Sequence, residues 1–259
     1  MDTAVKTIAF SGYEWEVRGK GKGGPGPNTW DDANAQVDDK GWLHLQLTKN
    51  KTDAGETEWH CVELKTQQRL GLGRYQFQVI GQIDKLDRNV VLGLFKYPTA
   101  DVGKDGTNEI DIEFARWGNE MAENNADYVV YPAMGARAPG DHISFKVTLN
   151  GNYTTHRFLW ECHAVAFQSL HGHRDDEIGE FEHWKYTPDT PRLIPQQPTP
   201  VRINLWLFDG AAPSDNTEVE IIINQFTFTI ELVAPEAKLV TGNAVATPAD
   251  ITVPSFWVR

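Results

Sequence analysis

Apolar and polar residues alternate in short runs of period two from Ile8 to Leu232, and no stretch of ten or more residues sustains the 3.6 period of an amphipathic helix. The runs predict strands at Ile8–Arg18, Gln36–Asp38, Trp42–Leu47, Glu58–Lys65, Arg74–Ile80, Asn89–Tyr97, Glu109–Phe114, Asp127–Tyr131, Ile143–Leu149, Thr155–Trp160, Ala164–Leu170, Val201–Phe208 and Val219–Leu232. Asn89–Tyr97 is nearly all apolar, as a strand buried on both faces would be. Turn signals separate the runs: Asp39-Lys40-Gly41, Gly71-Leu72-Gly73 and Asn150-Gly151-Asn152. Gly19–Pro27 is a Gly/Pro run that excludes helix and strand interior and predicts a loop. Asp175–Pro200, polar and carrying five prolines, predicts a long surface loop with one helical turn. Many short strands joined by turns predict an all-β antiparallel sandwich or barrel. One domain is expected over 1–232, with 233–259 as a tail that packs on it or extends from it.

One run breaks the usual form of a half-exposed strand. In Asn108-Glu109-Ile110-Asp111-Ile112-Glu113-Phe114, period two puts Glu109, Asp111 and Glu113 on one face and Ile110, Ile112 and Phe114 on the other. Three like charges in a row are unfavourable unless something uses them. Three uses are open on the pattern alone. The carboxylates can be a catalytic acid–base set, because like-charged neighbours raise the pKa of whichever group keeps its proton. They can blunt an edge strand against aggregation. They can hold calcium, a hard cation that takes oxygen ligands. For glycoside cleavage with retention, two carboxyl groups must come ~5–5.5 Å apart, whereas residues i and i+4 of a strand lie ~13 Å apart at Cα. Glutamates leaning inward over a shorter aspartate close much of that gap.

Composition narrows the classes. A formal net charge of −12 argues against nucleic acid and anionic membrane surfaces as partners and disfavours sulfated polymers. No apolar run reaches the ~20 residues of a membrane-spanning helix. Nine tryptophans supply core, anchors or stacking platforms. Cys61 and Cys162 are the two cysteines; they lack metal-ligand spacing and are expected as free, buried thiols. Met1–Lys6 has no basic region followed by an apolar core, so no signal peptide is expected there. The histidines at 60, 156, 163, 171, 173 and 183 show neither zinc spacing nor a nucleophile partner.

Glu109-Ile110-Asp111-Ile112-Glu113-Phe114 resembles the active-site strand of glycoside hydrolase family 16, in the lichenase-type spacing Glu-x-Asp-x-Glu. Cys61–Lys65 through Gly73–Phe77, then Thr155–Trp160, then Asn204-Leu205-Trp206 are similar to further family segments in the same order, so the resemblance spans roughly 10–232. It implies a β-jelly-roll sandwich, concanavalin A-like, with a substrate cleft across a concave sheet. It implies a retaining endo-β-glycanase, with Glu109 as nucleophile, Glu113 as general acid/base and Asp111 assisting. Trp206 would stack on a sugar ring, Asn204 and Glu63 would bind hydroxyls, and Asn28 and Trp30 would sit near the cleft edge. The implied partner is a neutral polysaccharide or oligosaccharide, met by a monomer that is secreted or periplasmic. No cofactor is required. A structural calcium is the one metal the family suggests, at Asn224 and the Gly41 carbonyl. A non-catalytic carbohydrate-binding protein and a transglycosylase on the same fold are the alternatives. The chain departs from lichenases at Thr107-Asn108, where Trp-Asp is expected, at Tyr131-Pro132, and at Lys65, where an arginine is expected.

Overall fold

The structure, a computed structural model, describes residues 5–135 and 141–230. Its strands in chain order are β1 (Thr7–Phe10), β2 (Tyr13–Val17), β3 (Gly21–Gly23), β4 (Asn28–Trp30), β5 (Ala35–Val37) and β6 (Leu43–Lys51). Then come β7 (Thr57–Leu70), β8 (Gly73–Ile80), β9 (Val90–Lys96), β10 (Glu109–Phe114), β11 (Ala126–Tyr131) and β12 (His142–Phe145). The series closes with β13 (Tyr153–Trp160), β14 (Val165–His171), β15 (Glu180–Tyr186), β16 (Thr199–Leu207) and β17 (Val219–Thr229).

Two antiparallel layers form a jelly-roll sandwich. The first runs β1-β2-β7-β16-β9-β10-β11-β12. The second runs β5-β6-β17-β8-β13-β14-β15. The β6–β7 hairpin passes from one layer to the other, and the small β3–β4 ribbon lies parallel to β7 at Thr29↔His60 and Trp30↔Cys61. The carboxylate strand β10 is therefore central, paired on both sides, and its charges do not guard an edge.

The core fills the space between the layers. From the first layer, Ile110, Ile112, Phe114, Leu92, Leu94, Ile203 and Tyr128 are buried; from the second, Tyr75, Phe77, Phe158, Trp160 and Phe226. Each such side chain contributes about 1.5–3 kcal/mol relative to exposure. The layers meet through Tyr128 stacked on Phe167 at 4.8 Å and Phe114 edge-on to His156 at 4.7 Å. One cation also lies inside: Lys96 Nζ donates to the carbonyls of Leu70 (2.7 Å) and Thr199 (3.0 Å) and faces the rings of Trp160 and Tyr75. Burial pushes its pKa well down.

Several local expectations change. Ile8–Arg18 is two strands, because Ser11 and Gly12 take positive φ (51° and 80°) and turn the chain into the β1–β2 hairpin. The Gly/Pro run includes the short strand β3. The predicted loop Asp175–Pro200 contains β15, an edge strand whose Phe181, Trp184 and Tyr186 reach the rim of the core, with a single 3₁₀ turn at Pro191–Leu193. Pairing of the predicted Ile143–Leu149 strand stops at Phe145. Both thiols are free, but Cys162 is exposed in the β13–β14 turn rather than buried. The expected tail, 233–259, lies outside the described residues.

Candidate active site

Strand register builds the site. On the outer face of the first layer, Asp127 (β11), Glu113 (β10), Gly93 (β9), Asn204 (β16) and Glu63 (β7) stand in one cross-strand row. The next row is Val129, Asp111, Phe95, Arg202 and Lys65. Glu109 pairs with Tyr131. The odd-numbered residues of β10 thus open outward while Ile110, Ile112 and Phe114 fill the core. They line a cleft of about 620 Å³ with Glu63, Phe95, Tyr97, Asp105, Trp117, Asn204 and Trp206 among its walls.

Asp111 is buried, and Glu109 and Glu113 on either side of it are half-buried. Burial, reinforced by the charge of Glu113, pushes the Glu109 carboxyl up to about 8, while its hydrogen bond with Asp111 pulls the other way. Interacting carboxyls titrate as a set, so at neutral pH the trio holds fewer than three charges. Such a cluster can deliver a proton from one carboxyl while another acts as an anion.

Tyr97 donates its hydroxyl to Asp105 (2.8 Å), placing a further carboxylate at the mouth. Trp117 and Trp206 form an aromatic wall, their rings 6.3 Å apart, and Trp117 Nε1 is held by Asp127 at 2.9 Å. Glu63 accepts from Arg202 Nη1 at 2.7 Å and lies 3.5 Å from Asn204 Nδ2. Asn204 Oδ1 is buried and has no hydrogen-bond partner. A buried acceptor left unmade costs free energy unless a ligand supplies the donor.

Glu109, Asp111, Glu113, Glu63, Asn204 and Trp206 converge on this one cleft. Asn28 and Trp30 do not line it. Both are buried: Asn28 Nδ2 donates to the carbonyls of Pro25 and Leu207, and Trp30 Nε1 to that of Gly23. They support from behind the loop whose Gly24 and Pro25 form part of the wall. Arg18, Arg202, Tyr97, Asp105 and Trp117 line the cleft without having been singled out in the sequence. A signal existed for Arg202, which shares the period-two face of Asn204 and Trp206; Arg18 carried none.

Asn224 falls at a register break in β17, just beyond the pair Ile223↔Leu43, which places it close to the Gly41 turn. One neutral amide and one carbonyl fall short of the six to eight oxygens calcium takes. No group of three or more His, Cys, Asp or Glu stands ready for a metal among the described residues. No helix there is long and apolar enough to cross a membrane.

No family model matches the chain, and no curated protein matches its sequence. Solved structures do match its fold, which belongs to the jelly-roll class. A β-1,3-1,4-glucanase (lichenase) from a mouse hindgut metagenome superposes with a TM-score of 0.60 at 21% identity, covering 84% of this chain and 93% of that one. The β-glucanase of Bacillus licheniformis gives 0.60 at 20%, covering 83% and 91%. A glycoside hydrolase family 16 endo-glucanase from Bacteroides ovatus gives 0.59 at 13%, covering 83% and 94%.

Proposed function

We propose that this protein is a glycoside hydrolase that cleaves O-glycosidic bonds within a β-linked polysaccharide by a retaining double displacement. The observation that carries the reading is the outward row of Glu109, Asp111 and Glu113 on a central strand, opening into a cleft with an aromatic wall. The names of the fold's relatives support it. Glu109 attacks the anomeric carbon as positive charge develops there. Glu113 protonates the departing oxygen, then takes a proton from the incoming water. Asp111, between them, hydrogen-bonds Glu109 and steers the shared proton. The coupled trio shares a proton, and the cationic transition state favours the arrangement with Glu109 ionised and the proton on Glu113. Trp206 and Trp117 stack on sugar rings, and Asn204 and Glu63 bind hydroxyls. The net charge favours a neutral backbone, and a secreted or periplasmic site of action suits a polymeric substrate. No cofactor enters any step.

The test is reducing-sugar release from a panel of β-glucans, xyloglucan and galactans. Glu109→Gln and Glu113→Gln are expected to abolish release while the circular dichroism spectrum stays unchanged. Full activity in Glu109→Gln would overturn the assignment. Azide rescue of the alanine variants separates the roles: an α-glycosyl azide marks the nucleophile, and a β-azide the acid/base.

A further inference from the structure

Charge is not spread evenly along the cleft. Around β10 the carboxylates gather: Glu109, Asp111, Glu113 and Asp105, with Tyr97 and Tyr131 beside them. Toward β7 and β2 the sign changes. There the cleft continues into a hollow of about 430 Å³ that shares Arg18, Glu63 and Arg202 with it and adds Lys65 and Glu16. Three cations face two carboxylates, in a protein whose net charge is −12. Lys65 is engaged by Glu16 at 2.9 Å, so Arg18 and Arg202 share the single carboxylate of Glu63, at 3.9 and 2.7 Å.

Both guanidiniums are fixed in place. Arg18 lies over the Trp30 ring at 4.0 Å and donates to the Gly24 carbonyl at 2.8 Å. A Cβ on Gly23 would come within 2.6 Å of Arg18 Nη2, so glycine there makes room for this packing. Arg202 lies over Tyr97 at 4.9 Å, and its Nε is buried without a hydrogen-bond partner. Burial, and the charge of Arg202, disfavour the protonated form of Arg18, while Glu63 favours it. A partly desolvated cation pair with one carboxylate in contact, Glu63, and only the longer-range charge of Glu109 besides, keeps room for a further anion. Planar, immobilised guanidiniums match two-oxygen anions in bidentate geometry.

We propose that this end of the cleft is a subsite for an anionic substituent on the polysaccharide, a carboxylate or a sulfate ester, with Arg18 and Arg202 as its specificity-determining residues. The proposal rests on the polysaccharide-cleaving reading of the cleft. Arg202 stands two strands from Asp111 in the cross-strand row, and its positive charge reaches Glu109, so it offsets the carboxylates' repulsion toward an anionic substituent. The expectation that an acidic chain disfavours sulfated polymers came from total charge. A ligand inside a cleft feels the local field first.

The experiment is calorimetric titration of the full-length Glu113→Gln variant with three probes of one backbone: a neutral β-glucan oligosaccharide, its carboxymethylated form and its sulfated form. At low ionic strength at least one anionic probe is expected to bind about tenfold more tightly than the neutral one. That ratio is expected to fall toward one in about 0.5 M NaCl, and in Arg18→Gln and Arg202→Gln at low salt. The tighter anionic arm identifies carboxylate or sulfate. Equal or weaker binding of both anionic probes, or no binding of either, overturns the proposal. Should the arginine variants fail to fold, the salt dependence of the ratio decides alone: a ratio that does not fall overturns it. Hydrolysis of the neutral probe by the unsubstituted protein, with no charge preference, sinks the subsite and leaves the cleavage reading standing. A charge preference with no hydrolysis of any probe does the reverse.

Discussion

A Cβ on Gly93 would stand 2.5 Å from Asn204 Oδ1. The two residues are cross-strand partners, and Glu113 is the partner of Gly93 on its other side. The bare backbone at 93 is the space into which Asn204 leans beside the carboxylates. Gly93→Ala is expected to push Asn204 aside and lower kcat/KM by about ten- to a hundredfold, since small misplacements near reacting atoms are costly. Its thermal midpoint is expected to stay close to that of the unsubstituted protein, because a short side chain yields rather than the sheet. Unchanged kinetics would show that the placement of Asn204 is dispensable.

The raised carboxyl of Glu109 makes a stability prediction with a definite sign. Its ordinary value is 4.5, and in the fold it reaches about 8. Below pH 4.5 the group is protonated in both states, and its contribution is fully retained. Between pH 4.5 and about 8 the unfolded chain ionises first and binds fewer protons, so this contribution is lost as pH rises. Glu109→Gln is therefore expected to be more stable than the parent at pH 8, with the difference shrinking toward pH 4.5. Urea melts of both proteins across that range measure it. A difference independent of pH would mean that Glu109 titrates normally.

Asn28 ties the Pro25 carbonyl to the Leu207 carbonyl, at 2.7 and 2.8 Å, and accepts from Cys61 Sγ. Asn28→Ala leaves these buried groups without their partner and is expected to cost about 1–3 kcal/mol in urea unfolding. Because Gly24 and Pro25 wall the cleft, oligosaccharide affinity is expected to weaken as well. A destabilised variant with intact affinity would show that the wall holds without this tie.

The two cysteines differ in environment. Cys162 is exposed; Cys61 is buried, and burial pushes its thiol up to about 12. Titration of the native protein with a chromogenic disulfide reagent is expected to register one thiol promptly and the second only after denaturant is added. Two fast thiols would contradict the burial of Cys61.

The face assignments of β10 and β16 were legible in the sequence, because period two fixes which residues share a side once one face is apolar. Asn204 and Trp206 were named through the resemblance of Asn204-Leu205-Trp206 to a family segment, and the same period places Arg202 on their face. Asn28 and Trp30 were legible as special but not as inward-facing: three residues after a Gly/Pro run are too few to show a period. Arg18 meets Glu63 and Arg202 through packing of β2, β7 and β16 across as many as 184 positions of chain, which no local pattern encodes. The edge strand β15 was hidden by its setting, since prolines and acids around Phe181, Trp184 and Tyr186 read as loop when no core is in view.

The alternation of β10 also guards assembly. If β10 slipped by one residue against β9 or β11, Glu109, Asp111 and Glu113 would enter the core and Ile110, Ile112 and Phe114 would meet water. Three carboxylates forced among Leu92, Leu94 and Tyr128 form a misfold the chain cannot keep. The charges that serve the cleft therefore act as a proofreading device for the fold, penalising a misaligned β10 by three buried carboxylates.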